Sequence, residues 1–434
     1  MSEQTKPEFQ NSSYFILPLK IDNPYRLSAF LRNSSNWEEK LDAFELQYLM
    51  FYAREMTDPE DERFRMYRYK GSESLRIYLF DDNVTDPGKA PTLGDISLYV
   101  FGKEISFLEF QVIYNDMDIE GVLKFVNSFR NLRNPEELPD GSDCKRLKDA
   151  AEIILPAKES GTILCFSNPS EVKMQANVFT MYYNPKKYSN PKSNDAKPSN
   201  KASNQVTKKN NQDKENRSIC CRLAHGYKSV IPSDEDAARG YDKCLRLNTS
   251  EYWGICPDGI AYVKKSKPSS FDYEHLRTDF HFMYLLLLNQ RFAAISFIEA
   301  INECSRNEKA RKDIKDVYRR VVELRTRYSF RVISDDFFVQ TVYNAGYRVL
   351  EIDALLKDLE DANGQFNELS KERETRVERF IVAVTLLALV SAFADLAAYL
   401  DMFSAPKPHL WSLGILLIAF IILMLFFKPW KRSR

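Results

Sequence analysis

Residues 380–400 read FIVAVTLLALVSAFADLAAYL, and residues 410–427 read LWSLGILLIAFIILMLFF. The first stretch carries one charge, Asp395, and the second carries none. A helix rising about 1.5 Å per residue needs about 20 apolar residues to cross a hydrocarbon core, and both stretches are of that order. Only residues 401–409, with Pro406 and Pro408, separate them. The expected fold is a cytosolic α+β domain followed by long helices and a C-terminal two-helix transmembrane hairpin.

The flanks of the two stretches predict their orientation. Arg373, Arg376 and Arg379 precede the first, Lys428, Lys431, Arg432 and Arg434 follow the second, and the loop between offers Lys407 alone. Positive charge collects on the cytoplasmic side, so the expectation is a multi-pass protein of the cell membrane with both termini cytoplasmic. The N-terminal MSEQTKPEFQNSS has no apolar run of the signal-peptide kind. Formal net charge is zero over 434 residues, which argues against a dedicated nucleic-acid binder. The seven cysteines include no C-x-x-C pair and suit a reducing compartment.

Residues 1–268 read as the α+β domain. Tyr14–Leu19, the pair Phe64–Tyr69 and Leu75–Phe80, the pair Ile96–Phe101 and Ile105–Tyr114, and Val172–Tyr183 have strand patterning. Trp253–Val263 contains the reversing turn Pro257-Asp258-Gly259. Trp37–Glu55 has helical periodicity, and Asp116 or Asp118 caps a helix with Ile119, Leu123, Val126 and Phe129 on its inner face. Residues 184–217 are rich in Asn, Lys and Ser and predict a disordered insertion. No phosphate-cradling Gly-x-x-x-x-Gly-Lys-Ser/Thr loop and no Gly-x-Ser-x-Gly elbow is present, so the expectation is a protein that is not an enzyme. His225, His275, His281 and His409 are too scattered in sequence to predict a metal cluster, and a structural role is expected for them.

Residues 269–333 read as helical. Phe280–Ile301 is apolar but interrupted by His281, Asn289, Gln290 and Arg291, which favours a buried core helix over a third span. Ser334 reads as an N-cap, and no proline follows before Pro406. One uninterrupted stalk helix over 334–402, on the order of 100 Å long, would then run into the first span at 380–402. The second span is 409–428 and the basic tail 429–434. Val342, Ala345, Val349, Ile352, Leu356, Leu359, Asn363 and Phe366 fall in the 3–4 alternation of a coiled-coil seam. Continued, the count passes Phe380, Val384, Leu387, Ser391, Ala394, Ala398 and Asp401, small and polar toward its end. This face predicts pore lining, with close helix packing without a pore as the competing reading. Asp395, beside it, faces protein or water, or ends the span among headgroups. Two helices per chain cannot enclose a conduit, so a pore requires a homo-oligomer.

This layout resembles the CorA family of divalent-cation channels, and the ending Phe426-Phe427-Lys428-Pro429-Trp430-Lys431-Arg432 is similar to that family's tails. The family's Gly-Met-Asn motif is replaced by Asp401-Met402-Phe403. The resemblance implies a homo-oligomer, a pentamer, that conducts divalent metal cations through the lipid bilayer under control of its cytosolic domain. Phe380, Val384 and Leu387 would form a gate, and Ser391, Ala394, Asp395, Ala398, Asp401 and Met402 the outer pore. Arg373, Arg376 and Arg379 would form a cytosolic basic collar, and Asp401 would ligate metal. Magnesium or another divalent cation would be the permeant or regulatory ion. Phenylalanine at 403 cannot make the hydrogen bonds of the family's asparagine, which puts magnesium selectivity in question. The alternative is a CorA-like membrane effector of prokaryotic antiviral defence, of the type III CRISPR-associated kind, activated by a nucleotide second messenger.

Overall fold

The computed structural model describes residues 9–40, 44, 46–58, 60–72, 75, 79, 91–130, 147–164, 176–183, 215–225, 243–247, 250–266, 268–306, 314–362, 364, 380–382, 384–385 and 391. By spatial contact the chain divides into two units, Met1–Leu359 and Glu360–Arg434.

The first unit is built on strand β1 (Ser12–Ile21), whose sequence SSYFILPLKI is close to continuously apolar because both of its faces are covered. Nine of its ten residues are buried. β1 pairs antiparallel with β5 (Ile105–Tyr114) on one side and β7 (Asn177–Tyr183) on the other. The sheet order is β2 (Trp37–Lys40), β3 (Phe64–Tyr69), β4 (Pro91–Phe101), β5, β1, β7, β10 (Gly259–Lys264), β9 (Glu251–Cys256) and β8 (Lys243–Arg246), with β6 (Thr162–Leu164) also against β1. Its pairings are antiparallel except β7 with β10. The β4–β5 hairpin turns through Gly102, whose φ of +58° suits a residue without Cβ.

Alternation along the strands sends side chains into two layers. Phe15, Leu17, Leu108, Phe110 and Val178 enter one core with residues of the helices Pro24–Asn33, Ile119–Phe129, Leu147–Ile154 and 215–225. Asp118 caps the second of these, accepting from Gly121 N–H at 2.8 Å. Tyr14, Phe107 and Glu109 point the other way, onto His281–Arg306. There Glu109 accepts from His281 Nε2 at 2.6 Å and from the Tyr99 hydroxyl at 3.0 Å. Burial, and next the Glu109 charge, push the Tyr99 hydroxyl well above its ordinary range, so it remains the donor.

The helical layer starts at Ser269, whose side chain and Asp272 form a reciprocal capping box. Ser270–His275 passes through a π-helical turn, Leu276–Phe280, into His281–Arg306. In that turn Asp279, 1% exposed, accepts from the backbone N–H groups of Gln47 and Tyr48 at 3.1 and 3.0 Å and pairs with His275.

Among the described residues one helix is long and apolar enough to cross a membrane, Ser270–Glu303, and 67% of its most apolar window is buried inside the protein. Its middle, residues 281–290, is buried on every side, which marks a core helix. This corrects the expected fold and the multi-pass localisation: the described chain is an α+β body followed by helices, with its one span-length apolar helix in mid-chain. The stretches read as membrane spans lie outside the described residues, apart from Phe380, Ile381, Val382, Val384, Thr385 and Ser391. Those six are helical and exposed.

Local expectations also change. Trp37–Lys40 is strand, followed by a short helix, Phe51–Glu55, rather than one long helix. Leu75 and Leu79 are helical, so β3 finds its partners in β2 and β4. Residues 215–217, assigned to the insertion, open the helix 215–225; the rest of 184–217 lies outside the described residues. The stalk is not one helix. Phe337–Val349, capped by Asp336 rather than Ser334, ends at Leu350, and Glu351 has a φ of +55° before residues 352–359 turn helical again. Its seam residues Val342, Ala345, Val349, Ile352, Leu356 and Leu359 are buried within the body, where Gly346 abuts Leu287. The coiled-coil expectation is corrected accordingly: that stripe is intramolecular core.

Candidate metal centre

Three elements meet at the β9–β10 turn, Cys256-Pro257-Asp258-Gly259. Both strands make tight contact with the helix 215–225. A Cβ at Gly254 would collide with the Cys220 carbonyl, and one at Gly259 would lie 2.5 Å from the Val178 carbonyl and 2.7 Å from that of Ala224. These neighbours are backbone, so glycine is what permits the approach. The consequence is chemical: His225, the last described residue of the helix, is delivered to the turn.

There a ring nitrogen of His225, Sγ of Cys256 and a carboxylate oxygen of Asp258 all lie within 4.8 Å of one another. Cys256 is 1% exposed, while His225 and Asp258 are half-buried, so the cluster opens to solvent on their side. Zinc bonds of about 2.0–2.3 Å place tetrahedral ligands roughly 3.3–3.8 Å apart. Closing the cluster therefore takes a side-chain movement of about an ångström. The three residues can hold a metal ion and leave a fourth position open.

The turn is braced by its backbone. Asp258 accepts from Val178 N–H at 3.1 Å, and Pro257 accepts from Arg291 Nη1 at 2.9 Å. Arg130, just past the helix Ile119–Phe129, donates from Nη1 to the His225 carbonyl. Its Nη2 stands 3.7 Å from Asp258, an ion pair outside hydrogen-bonding range. Arg130 and Tyr284 are buried, and Arg130 Nε and Nη2 and the Tyr284 hydroxyl make no hydrogen bond among the described residues. Asn177 lies beside Tyr284 without forming one of normal geometry.

The other described histidines are structural, as expected: His281 is held by Glu109 and His275 by Asp279. His225 departs from that expectation, standing with Cys256 and Asp258 in a group that could hold a metal ion. Its partners lie 31 and 33 positions away in sequence, beyond any local motif. The signal that was available is the pair Gly254 and Gly259 bracketing Cys-Pro-Asp, since two strand glycines announce that another backbone comes close.

Of the residues assigned to a pore or gate, Phe380, Val384 and Ser391 are described, helical and exposed. Leu387, Ala394, Asp395, Ala398, Asp401 and Met402, and the collar Arg373, Arg376 and Arg379, lie outside the described residues. The structure thus brings together a site in the body that shares no residue with the expected one. No family model, curated protein or solved structure matches the chain.

Proposed function

We propose that this chain is a divalent-cation-binding protein whose α+β body takes one transition metal ion of the zinc class through His225, Cys256 and Asp258. The observation that carries the proposal is the convergence of three different ligand types from two elements far apart in sequence. Thiolate and imidazole favour zinc and its neighbours over magnesium, which prefers all-oxygen octahedra. The divalent-cation chemistry of the CorA-like reading is kept, but moved from a ring at Asp401 to the body of the chain, where the ion is bound and not conducted. Because the ligands join the helix 215–225 to the β9–β10 hairpin, metal occupancy ties these elements together, and ion concentration becomes an input to the body's stability.

The test is metal content and cobalt spectroscopy of the full chain. One equivalent of zinc is expected, and cobalt in its place should show a thiolate-to-metal charge-transfer band that Cys256→Ser abolishes. Asp258→Asn should weaken affinity by about tenfold or more. At metal concentrations 100 times the dissociation constant, stability should rise by about 2.7 kcal/mol. Substoichiometric metal, or a cobalt spectrum indifferent to Cys256→Ser, refutes the proposal.

A further inference from the structure

Among the described residues, the charges around the candidate metal cluster do not balance once the site is loaded. A divalent ion is neutralised by the Cys256 thiolate and the Asp258 carboxylate. The guanidinium groups of Arg130 and Arg291 then remain beside it, one ion-paired to Asp258 at 3.7 Å and the other bonded to the Pro257 carbonyl. Arg130 is 1% exposed, and two of its nitrogens have no hydrogen-bond acceptor among the described residues. A buried cationic donor without an acceptor costs more than a neutral one. Tyr284 adds a further buried hydroxyl without a hydrogen bond of normal geometry, beside Asn177 and within electrostatic reach of Cys256, Arg130 and Arg291. Tyr284 and Arg291 are seven residues apart on one helix, two turns along the same face, so both address the β9–β10 turn.

We propose that the open position of this metal site takes a phosphate-type oxyanion, held by Arg130 Nε and Nη2, the Tyr284 hydroxyl and the metal ion. The inference rests on the metal reading above. The donor set fits the ligand: a planar guanidinium presents parallel N–H groups that match phosphate oxygens, and a hydroxyl offers a single further donor. The half-buried side of the cluster, at Asp258 and His225, is the way in. Free phosphate and the terminal phosphate of a monoester share this chemistry. A monoester needs space for its organic group on that open side.

The experiment titrates the zinc-loaded full chain with inorganic phosphate and, in a second arm, with phenyl phosphate, by calorimetry. The cobalt-loaded chain is followed in parallel for changes in its visible d–d bands. Saturable one-to-one binding that perturbs the cobalt bands is expected, weakened about tenfold by Tyr284→Phe with metal affinity unchanged. Arg291→Met, which removes the second guanidinium charge beside the site without touching a proposed phosphate donor, is the second variant and should weaken phosphate less than Tyr284→Phe does. Binding of phosphate but not phenyl phosphate identifies the free anion as ligand, and comparable binding of both identifies the monoester class. Stoichiometric zinc with no saturable phosphate binding overturns the inference and leaves the metal site standing. Phosphate binding unaffected by both variants, or equally strong without metal, also overturns it. Failure to bind zinc at all is the separate result that removes the metal reading.

Discussion

Replacing Glu109 by leucine tests how the helical layer is fastened to the sheet. Glu109 lies in the middle of β5, 2% exposed, and receives His281 Nε2 at 2.6 Å and the Tyr99 hydroxyl at 3.0 Å. Tyr14, Tyr99 and Phe179 pack around the His281 ring, and His281 itself is 3% exposed. Leucine fills similar space, so little cavity forms. What is lost is the acceptor for two buried donors, each costing about 1–3 kcal/mol when left unsatisfied. Breaking one side of a buried polar pair typically costs about 3–5 kcal/mol. We therefore expect Glu109→Leu to destabilise the first unit by about 4 kcal/mol in urea unfolding. The double variant Glu109→Leu/His281→Leu removes the stranded imidazole as well and should recover about half of that loss, leaving the Tyr99 hydroxyl as the one orphan. A single-variant cost under about 1 kcal/mol, or a double variant equal to the sum of the two singles, would show that the pair is solvated or uncoupled and would refute the reasoning.

Two further outcomes follow from the backbone and from titration. Glu351→Gly should stabilise the body by about 0.5–1 kcal/mol, because a residue with a Cβ pays for the left-handed conformation at φ +55° that glycine adopts freely; a destabilised variant in thermal melts argues against this. Asp272 is held below its ordinary value: burial disfavours its charge, but hydrogen bonds from Lys264 and Ser269 and the Lys264 charge outweigh it. A carboxyl lowered on folding contributes stability that is present above its unfolded pKa of about 3.8 and lost as pH falls through the folded value. Asp272→Asn should therefore flatten the stability profile of the chain below about pH 4 and lower it at neutral pH, read by chemical unfolding across that range; an unchanged acid limb counts against the assignment.

The sequence was readable wherever a local pattern and the tertiary environment agreed. The Ile96–Phe101 and Ile105–Tyr114 strands, with Gly102 between them, and the helix behind Asp118 are where their residues predict. Trp37–Glu55 misled because a helical period over a mixed segment cannot reveal that Trp37–Lys40 pairs with β3. The stalk misled for a different reason. Neither glycine nor proline marks the break at Leu350-Glu351, so the 3–4 stripe ran on in the sequence while the chain turned. That same stripe is buried against the body's own helix, and a seam between copies has the identical apolar spacing. The group of His225, Cys256 and Asp258 left only the flanking glycines as a trace in the sequence, because tertiary contact alone sets His225 against the other two.

The π-helical turn at Leu276–Phe280 sets the phase of everything after it. In an α-helix Asp279 and His281, two residues apart, would diverge by about 200° around the axis. The wider turn lets Asp279 reach the Gln47 and Tyr48 amides while His281 meets Glu109. Threading the same residues as an unbroken α-helix would rotate the following 26 residues by about 100° against their anchors, whereas deleting one residue there would let the α-helix close with their phase kept. Tyr284 and Arg291 ride on that rotation. The single-residue widening thus acts as an index mark, fixing which side of a long apolar rod is presented to the β9–β10 turn some ten residues further along.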